Sequence, residues 1–153
     1  MKKNNRKKIA ALVIMVFMLA IVAGCGGGTA DKGDKAGDKA ETINVGLNVE
    51  LSGGVASYGT NARDGALLAI EQINAEGGVL GMQLKPIVRD CKSIADEAMS
   101  VSAALVNEKI VAQIGPLTSG NVAGSTPIMM ENHIPLIAPA ATAVNVTVDE
   151  KTG

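Results

Sequence analysis

The chain has 153 residues, of which 47% are hydrophobic and 1% aromatic, with 14 basic and 15 acidic side chains. Five basic residues and no acidic ones precede Cys25, so the remainder has nine basic against fifteen acidic residues and a net charge of −6. That remainder has no basic cluster, which argues against nucleic acid as a partner. The lone His133 excludes a multi-histidine metal site, and we expect neither a metal nor a cofactor.

The N-terminal segment has the pattern of an export signal. Five basic residues lie within the first eight, and an uncharged apolar run of fifteen residues follows over 9–23. As a helix this run would span ~22 Å, less than the ~30 Å hydrocarbon core, so it is typical of a signal peptide. It ends in Val-Ala-Gly-Cys, which resembles the lipobox of bacterial lipoproteins. We predict a lipoprotein signal peptide over 1–24 and lipidation of Cys25; the alternative is an uncleaved membrane anchor.

The next segment has the composition of a tether. Residues 26–41 contain only Gly, Ala, Thr, Asp, Lys and a final Glu, with the repeat DKGDKAGDKA. No apolar residue there is larger than alanine, so the segment cannot contribute to a hydrophobic core. We predict that 25–41 is a lipidated flexible tether, with a mean extent of roughly 20–24 Å.

From Thr42 onward, strand patterns alternate with helix patterns. Strands are predicted by alternating or continuous apolar residues, and helices by apolar residues three or four apart. The predicted strands are Ile43–Val49, Gln83–Arg89, Val111–Ile114 and Pro135–Ala138. The predicted helices run from Thr60 or Asn61 to Ala75, from Ser93 to Glu108 and from Gly120 to Asn132.

Two of these helices have a predicted buried face. In the first, the face consists of Ala62, Ala66, Ala69, Ile70 and Ile73. In the second, it consists of Ile94, Ala98, Val101 and Leu105. Ser93 and Asp96 have the spacing of a capping box at the start of the second helix.

The order β-α-β-α-β-α-β with short connections predicts an α/β fold with a doubly wound parallel sheet. The stretch 42–153 is long enough to bury a core. No helix pattern follows the fourth strand, however. We therefore expect 42–153 to be an incomplete N-terminal lobe, and the chain to be an N-terminal fragment of a longer protein.

Three loops are expected at the carboxyl edge of this sheet, where doubly wound folds bind ligands. Residues 51–59, 115–121 and 138–142 are rich in small or hydroxyl side chains and carry no charge. Backbone N–H groups and hydroxyls at such loops can hold a carboxylate. Gly, Ser and Thr are also ordinary turn residues, so the prediction depends on the coincidence of all three loops. Tyr58, the only Phe, Tyr or Trp after the signal, either lines this site or is a packing residue of the core or rim.

Enzyme motifs are missing from the sequence. It contains no G-x-S-x-G, Walker A, CxxC, HExxH or G-x-G-x-x-G motif. Asp90 and Cys91 could form a catalytic pair, but no histidine lies nearby in sequence to activate the thiol. Cys91 is either a buried free thiol or pairs with a cysteine outside this sequence. We predict that the chain is not an enzyme, and a secreted hydrolase or nucleotide-binding protein is the weakest alternative.

Four stretches resemble a known family. INVGLNVELSGGVASYGTNARDGALLAIEQINAEGGVLG, IVRDCKSIADEA, IGPLTSGN and IPLIAPAAT resemble the N-terminal part of substrate-binding proteins of branched-chain amino acid (leucine/isoleucine/valine) ABC transporters, over Ile43–Thr147. The resemblance implies the type I periplasmic-binding-protein fold, whose two α/β lobes close on an amino acid. It also implies an extracytoplasmic receptor that partners an ABC permease and catalyses no reaction.

The resemblance also implies roles for single residues. Ser119 matches the position whose hydroxyl binds the ligand carboxylate, and Thr142 matches a hydroxyl that binds the carboxylate or ammonium. Ala140 matches a backbone contact to the ligand, and Tyr58 a first-loop residue that lines the cleft. Some members pair a cysteine near Cys91 with one where this chain has Thr118, a disulfide that cannot form here. The family's ammonium-binding acid lies in the second lobe, outside this chain.

Two alternatives to an amino acid receptor remain at this point. The same fold could hold an amide, urea or another small polar solute. The domain could also be the ligand-sensing part of a signalling protein, which would require a membrane-spanning helix after it.

Overall fold

The computed structural model describes residues 41–148. The predicted signal peptide, Cys25 and almost all of the predicted tether lie outside these residues. In chain order the elements are β1 (Thr42–Val49), α1 (Ala56–Ala75), β2 (Gln83–Asp90), α2 (Ala95–Asn107), β3 (Ala112–Ile114), α3 (Ser119–Glu131) and β4 (Leu136–Ile137), followed by a 3-10 turn at Val144–Val146. No described helix is both long enough and apolar enough to cross a membrane.

The four strands form one parallel sheet in the order β2-β1-β3-β4. This arrangement confirms the predicted doubly wound α/β fold. The order in which strands are added across the sheet reverses at β1, because β2 lies on one side of β1, and β3 and β4 lie on the other. The loops that follow β1 and β3 therefore diverge, which opens a crevice at the carboxyl edge of the sheet.

The central strand β1 is covered on both faces. Val45 and Leu47 form a buried cluster with Ile70 of α1. On the opposite face, a Cβ on Gly46 would lie 2.8 Å from Ile110 and 3.0 Å from Leu105, so the missing side chain lets α2 approach closely. Helix α1 thus covers one face of the sheet, and α2 covers the other.

A set of buried polar side chains, here called the polar seam, joins β1 and β3 to α2 and α3. The Asn48 amide donates to the Ala98 carbonyl at 2.8 Å, the Ser102 hydroxyl at 3.0 Å and the Ser125 hydroxyl at 3.3 Å. The Ser102 hydroxyl donates to Gln113 Oε1 at 3.0 Å. Because these groups bond to one another, much of the cost of burying them is offset. The seam fixes both helices against the sheet.

Helix α1 begins at Ala56, four residues before the predicted Thr60. The backbone N–H of Ala56 donates to the Gly53 carbonyl, and that of Tyr58 to the Val55 carbonyl, so the turn after β1 continues directly into the helix. The predicted buried face is also partly wrong, since Ala69 and Ile73 are exposed.

The predicted capping box at Ser93 and Asp96 is wrong, because α2 begins at Ala95 without a side-chain cap. Ser93 adopts a left-handed conformation with φ +62°. Its hydroxyl donates to the Ser52 carbonyl at 2.7 Å and accepts from the Val55 N–H at 3.4 Å. Ser93 therefore bonds to the loop after β1 instead of to its own helix, and Ile94 is half exposed.

Candidate functional site

A cavity of about 230 Å³ lies at the carboxyl edge of the sheet. It brings together all four predicted binding residues, one or more from each of the three predicted loops. Its lining residues are Val55, Tyr58, Leu117, Thr118, Ser119, Ala140 and Thr142. None of these side chains is charged at neutral pH, so the cavity offers hydroxyls, backbone groups and apolar surface.

The first loop, which follows β1, is fastened by the Asp90 carboxylate at the end of β2. Asp90 accepts hydrogen bonds from the N–H groups of Leu51, Ser52 and Lys92 at 2.8–3.2 Å and from the Ser52 hydroxyl at 2.7 Å. Partial burial alone would raise the pKa of Asp90, but these four bonds lower it below its usual value of 3.8. The Asp90 carboxylate is thus ionised and holds the start of the loop after β1 against the end of β2. At the same turn Gly53 has φ +84°, and a Cβ there would meet the Lys92 carbonyl at 2.4 Å.

The loop that follows β3 is fastened by Glu50, a residue that was not predicted to belong to the site. Its carboxylate is fully buried. It accepts from the Leu117 N–H at 3.1 and 3.2 Å, the Thr118 N–H at 3.1 Å, the Thr118 hydroxyl at 3.1 Å and the Asn121 amide at 2.9 Å. Among the described residues no lysine or arginine forms an ion pair with it. No local sequence pattern indicates this role, because the donors lie 67 to 71 residues further along the chain.

Ser119, the first residue of α3, links the loops that follow β3 and β4. Its Oγ accepts hydrogen bonds from the N–H of Thr142 at 3.2 Å and the N–H of Ala143 at 3.1 Å. A hydroxyl has two acceptor positions and one proton, so both acceptor positions are occupied here. The Ser119 proton is therefore left to donate to an acceptor such as a carboxylate.

Tyr58 belongs to the rim of the cavity. It lies in the first turn of α1 and is 63% exposed, so packing in the core is excluded as its role. Across the cavity, the Ala140 and Thr142 side chains are also exposed. Both sides of the crevice thus present solvent-accessible surface around Ser119.

Cys91 is fully buried and free in the described part of the chain. Burial and the negative charge of Glu50 raise the pKa of its thiol to about 11. The thiol is therefore protonated at neutral pH and is a poor nucleophile. Together with the Asp90 contacts, this excludes the Asp90–Cys91 catalytic pair. Residues 41–148 also contain no cluster of His, Cys, Asp and Glu that could hold a metal ion.

A doubly wound lobe with an uncharged crevice at its carboxyl edge has the position and lining of a site for a small molecule. The family described as periplasmic binding protein matches residues 42–152, and the chain belongs to that family. Its named relatives are binding proteins, in agreement with the prediction that the chain is not an enzyme.

Three similar proteins are informative. The chain is 37% identical over 108 residues to the leucine-, isoleucine-, valine-, threonine- and alanine-binding protein of Pseudomonas aeruginosa, covering 71% of this chain and 29% of that protein. The isoleucine complex of LivJ, a branched-chain amino acid transporter substrate-binding protein from Streptococcus pneumoniae, matches with 42% identity and TM-score 0.69, covering 70% and 31%. A Rhodopseudomonas palustris ABC transporter solute-binding protein, in complex with 3,4-dihydroxy benzoic acid, matches with 27% identity and TM-score 0.64, covering 69% and 29%. The chain thus spans about three tenths of each of these relatives.

Proposed function

We propose that this chain is part of an extracytoplasmic receptor that binds an amino acid, in particular a branched-chain one, and delivers it to an ABC importer. The observation that carries the proposal is the Ser119 hydroxyl, which has both acceptor positions filled and its proton free at the cavity. The resemblance to leucine-, isoleucine- and valine-binding proteins supports the ligand class.

The lining of the cavity suits a zwitterion with an aliphatic side chain. Neutral donors stabilise a ligand carboxylate through oriented dipoles, so the site needs no buried counter-charge. We propose that Ser119 and Thr142 bind the carboxylate, that the Ala140 backbone contacts the polar end of the ligand, and that Tyr58 covers it from the first loop. Val55 and Leu117 add apolar surface to the same cavity.

The test is isothermal titration calorimetry of the complete protein with leucine, isoleucine and valine. We expect saturable binding of one molecule per protein for at least one of them. If all three give no heat while another solute binds, the choice of ligand is wrong.

We further propose that residues 42–153 form part of the first of two lobes that close around the ligand. Each lobe would supply one wall of the cleft, and the ligand would favour the closed state because it contacts both walls only there. The closed, loaded form would then be the shape that the permease recognises. Small-angle scattering of the complete protein should show a smaller radius of gyration with ligand than without it, and an unchanged radius would contradict closure.

We also propose that Cys25 carries the lipid that holds the receptor at the membrane surface, with residues 25–41 as its tether. Two or more acyl chains hold a protein on a bilayer without a spanning helix. In cells fed radiolabelled palmitate, the native protein should be labelled and sediment with membranes, whereas Cys25→Ala should be unlabelled. Equal labelling of the two would contradict the assignment.

A second candidate function is a receptor for another small polar solute, an amide or urea included. The similarity to a protein crystallised with a dihydroxybenzoic acid favours a ligand other than an amino acid, because that ligand shares only its carboxylate with amino acids. The calorimetric panel should therefore include benzoates, amides and urea. A ligand-sensing domain of a signalling protein would instead require a spanning helix in the complete protein.

A further inference from the structure

We propose that Glu50 is a positioning residue that fixes the loop Leu117–Asn121 so that Ser119 meets the ligand in one orientation. This inference rests on the proposed function for its effect on binding, but its structural basis lies within the described residues. Glu50 itself is fully buried and is not among the residues that line the cavity.

The first argument concerns the N-terminus of α3. A helix begins with N–H groups that have no partner inside the helix, and its first turn attracts negative charge. Thr118, the residue before α3, makes no side-chain cap bond to its own helix. The Glu50 carboxylate accepts from the N–H groups of Leu117 and Thr118, which immediately precede α3, and from the Asn121 amide in its first turn. A residue just after β1 thus places a negative charge beside the N-terminus of a helix that is distant in sequence.

The second argument concerns charge. A buried carboxylate without a cation is costly unless several donors surround it. Four donor groups do so here, and all of them belong to the same loop or to the first turn of α3. The carboxylate therefore holds this loop more strongly than a neutral acceptor would, because bonds to an ionised group are about twice as strong.

The third argument concerns what remains for the ligand. Because Glu50 occupies the N–H groups of Leu117 and Thr118, these groups are not available to bind a ligand carboxylate. The next residue along the chain is Ser119, whose proton is free. Glu50 thereby leaves the Ser119 hydroxyl to bind the ligand, while the N–H groups of the two preceding residues donate to the buried carboxylate.

The test compares Glu50→Ala and Glu50→Gln in the complete protein, with Leu105→Ala as the control. Glutamine keeps one oxygen for the bonds from Thr118 and Asn121, loses the charge, and replaces the second oxygen with an NH₂ group that cannot accept from the Leu117 N–H. Leu105 belongs to α2 and is fully buried in the cluster between this helix and β2. Its truncation therefore lowers stability without removing a contact to the loop Leu117–Asn121. The readouts are the Kd of the amino acid that the native protein binds, the Tm, and hydrogen exchange of residues 115–121 without ligand.

We expect Glu50→Ala to raise the Kd by about 10- to 100-fold, because two backbone N–H groups lose their acceptor and the loop reorients. Exchange at Leu117 and Thr118 should accelerate at the same time. Glu50→Gln should stay within about tenfold of the native Kd. Leu105→Ala should lower the Tm and leave the Kd unchanged.

Unchanged exchange at Leu117 and Thr118 in Glu50→Ala would overturn the proposal, as would equal losses of affinity in Glu50→Ala and Leu105→Ala. If Glu50→Ala does not fold, faster exchange at Leu117 in Glu50→Gln supports the proposal and unchanged exchange overturns it. If the native protein binds no amino acid, the proposed ligand fails by itself. The exchange measurement still decides the role of Glu50.

Discussion

Replacing Ser119 with alanine is expected to raise the Kd for the amino acid ligand by about 10- to 100-fold in the complete protein. The variant removes the Ser119 hydroxyl proton, which has no acceptor within the described residues and is free for a carboxylate. It also removes the acceptor of the Thr142 and Ala143 N–H groups, which hold the loop after β4. The loss of the proton and the loss of the acceptor both weaken the binding of the ligand carboxylate. Titration calorimetry of the variant measures the combined effect.

A matched control for this substitution is Ser100→Ala. The Ser100 side chain is exposed on α2 and donates to the Asp96 carbonyl at 2.9 Å, away from the cavity. Its removal should leave the Kd within about twofold of native, because substitutions at exposed sites away from the cavity have small effects. If Ser119→Ala binds as tightly as Ser100→Ala, the carboxylate is held elsewhere.

Replacing Gly59 with alanine is expected to destabilise the lobe by about 1–3 kcal/mol or more. A Cβ on Gly59 would lie 2.0 Å from the Glu50 carbonyl oxygen and 2.8 Å from the Glu50 nitrogen. These are backbone atoms at the end of β1, so they cannot move aside as a flexible side chain would. The clash would push α1 away from the end of β1, which Glu50 directly follows. Differential scanning calorimetry should record a lower Tm.

Gly65→Ala gives the opposite expectation within the same helix. Nothing lies within 4 Å of a Cβ at Gly65, and the residue is exposed. Alanine there should stabilise by about 0.5–1 kcal/mol, because it restricts the unfolded chain and favours the helix. A Gly59→Ala variant as stable as Gly65→Ala would show that α1 does not approach β1 as closely as described.

The sequence pattern predicted the order of the elements well. In β1 the alternation of Ile43, Val45, Leu47 and Val49 gave a strand, and that strand occupies the centre of the sheet. Paired glycines at the end of α1 marked its end correctly. These features are local, so the sequence within a few residues determines them.

The polar contacts could not be predicted in the same way. Asn48 and Gln113 interrupt apolar strands. The packing of α2 and α3 supplies the acceptors of the Asn48 amide and the donor to Gln113 Oε1, while Gln113 Nε2 donates to the Gly115 carbonyl. Ser93 has the spacing of a capping residue, yet the nearby Ser52 carbonyl competes successfully for its hydroxyl. From the sequence alone, Glu50 would be expected at the exposed end of a strand. Its donors lie more than sixty residues away, so the local pattern does not reveal them.

The candidate site lies between these two cases. Loop composition and topology predicted three loops at one edge, and the family resemblance singled out Tyr58, Ser119, Ala140 and Thr142 within them. The structure brings all four to one cavity. That the Ser119 proton is free could not be predicted from the loops, because it depends on bonds between Ser119 and the loop after β4. The structure therefore adds the hydrogen-bond partners of the Ser119 hydroxyl to a prediction that gave only its position.

The most direct test of the account is a crystal structure of the complete protein with leucine. We expect the leucine carboxylate within hydrogen-bond distance of the Ser119 hydroxyl, with the loop Leu117–Asn121 still bonded to Glu50. A structure in which the ammonium lies against Ser119, or in which leucine binds outside this cavity, would contradict the account.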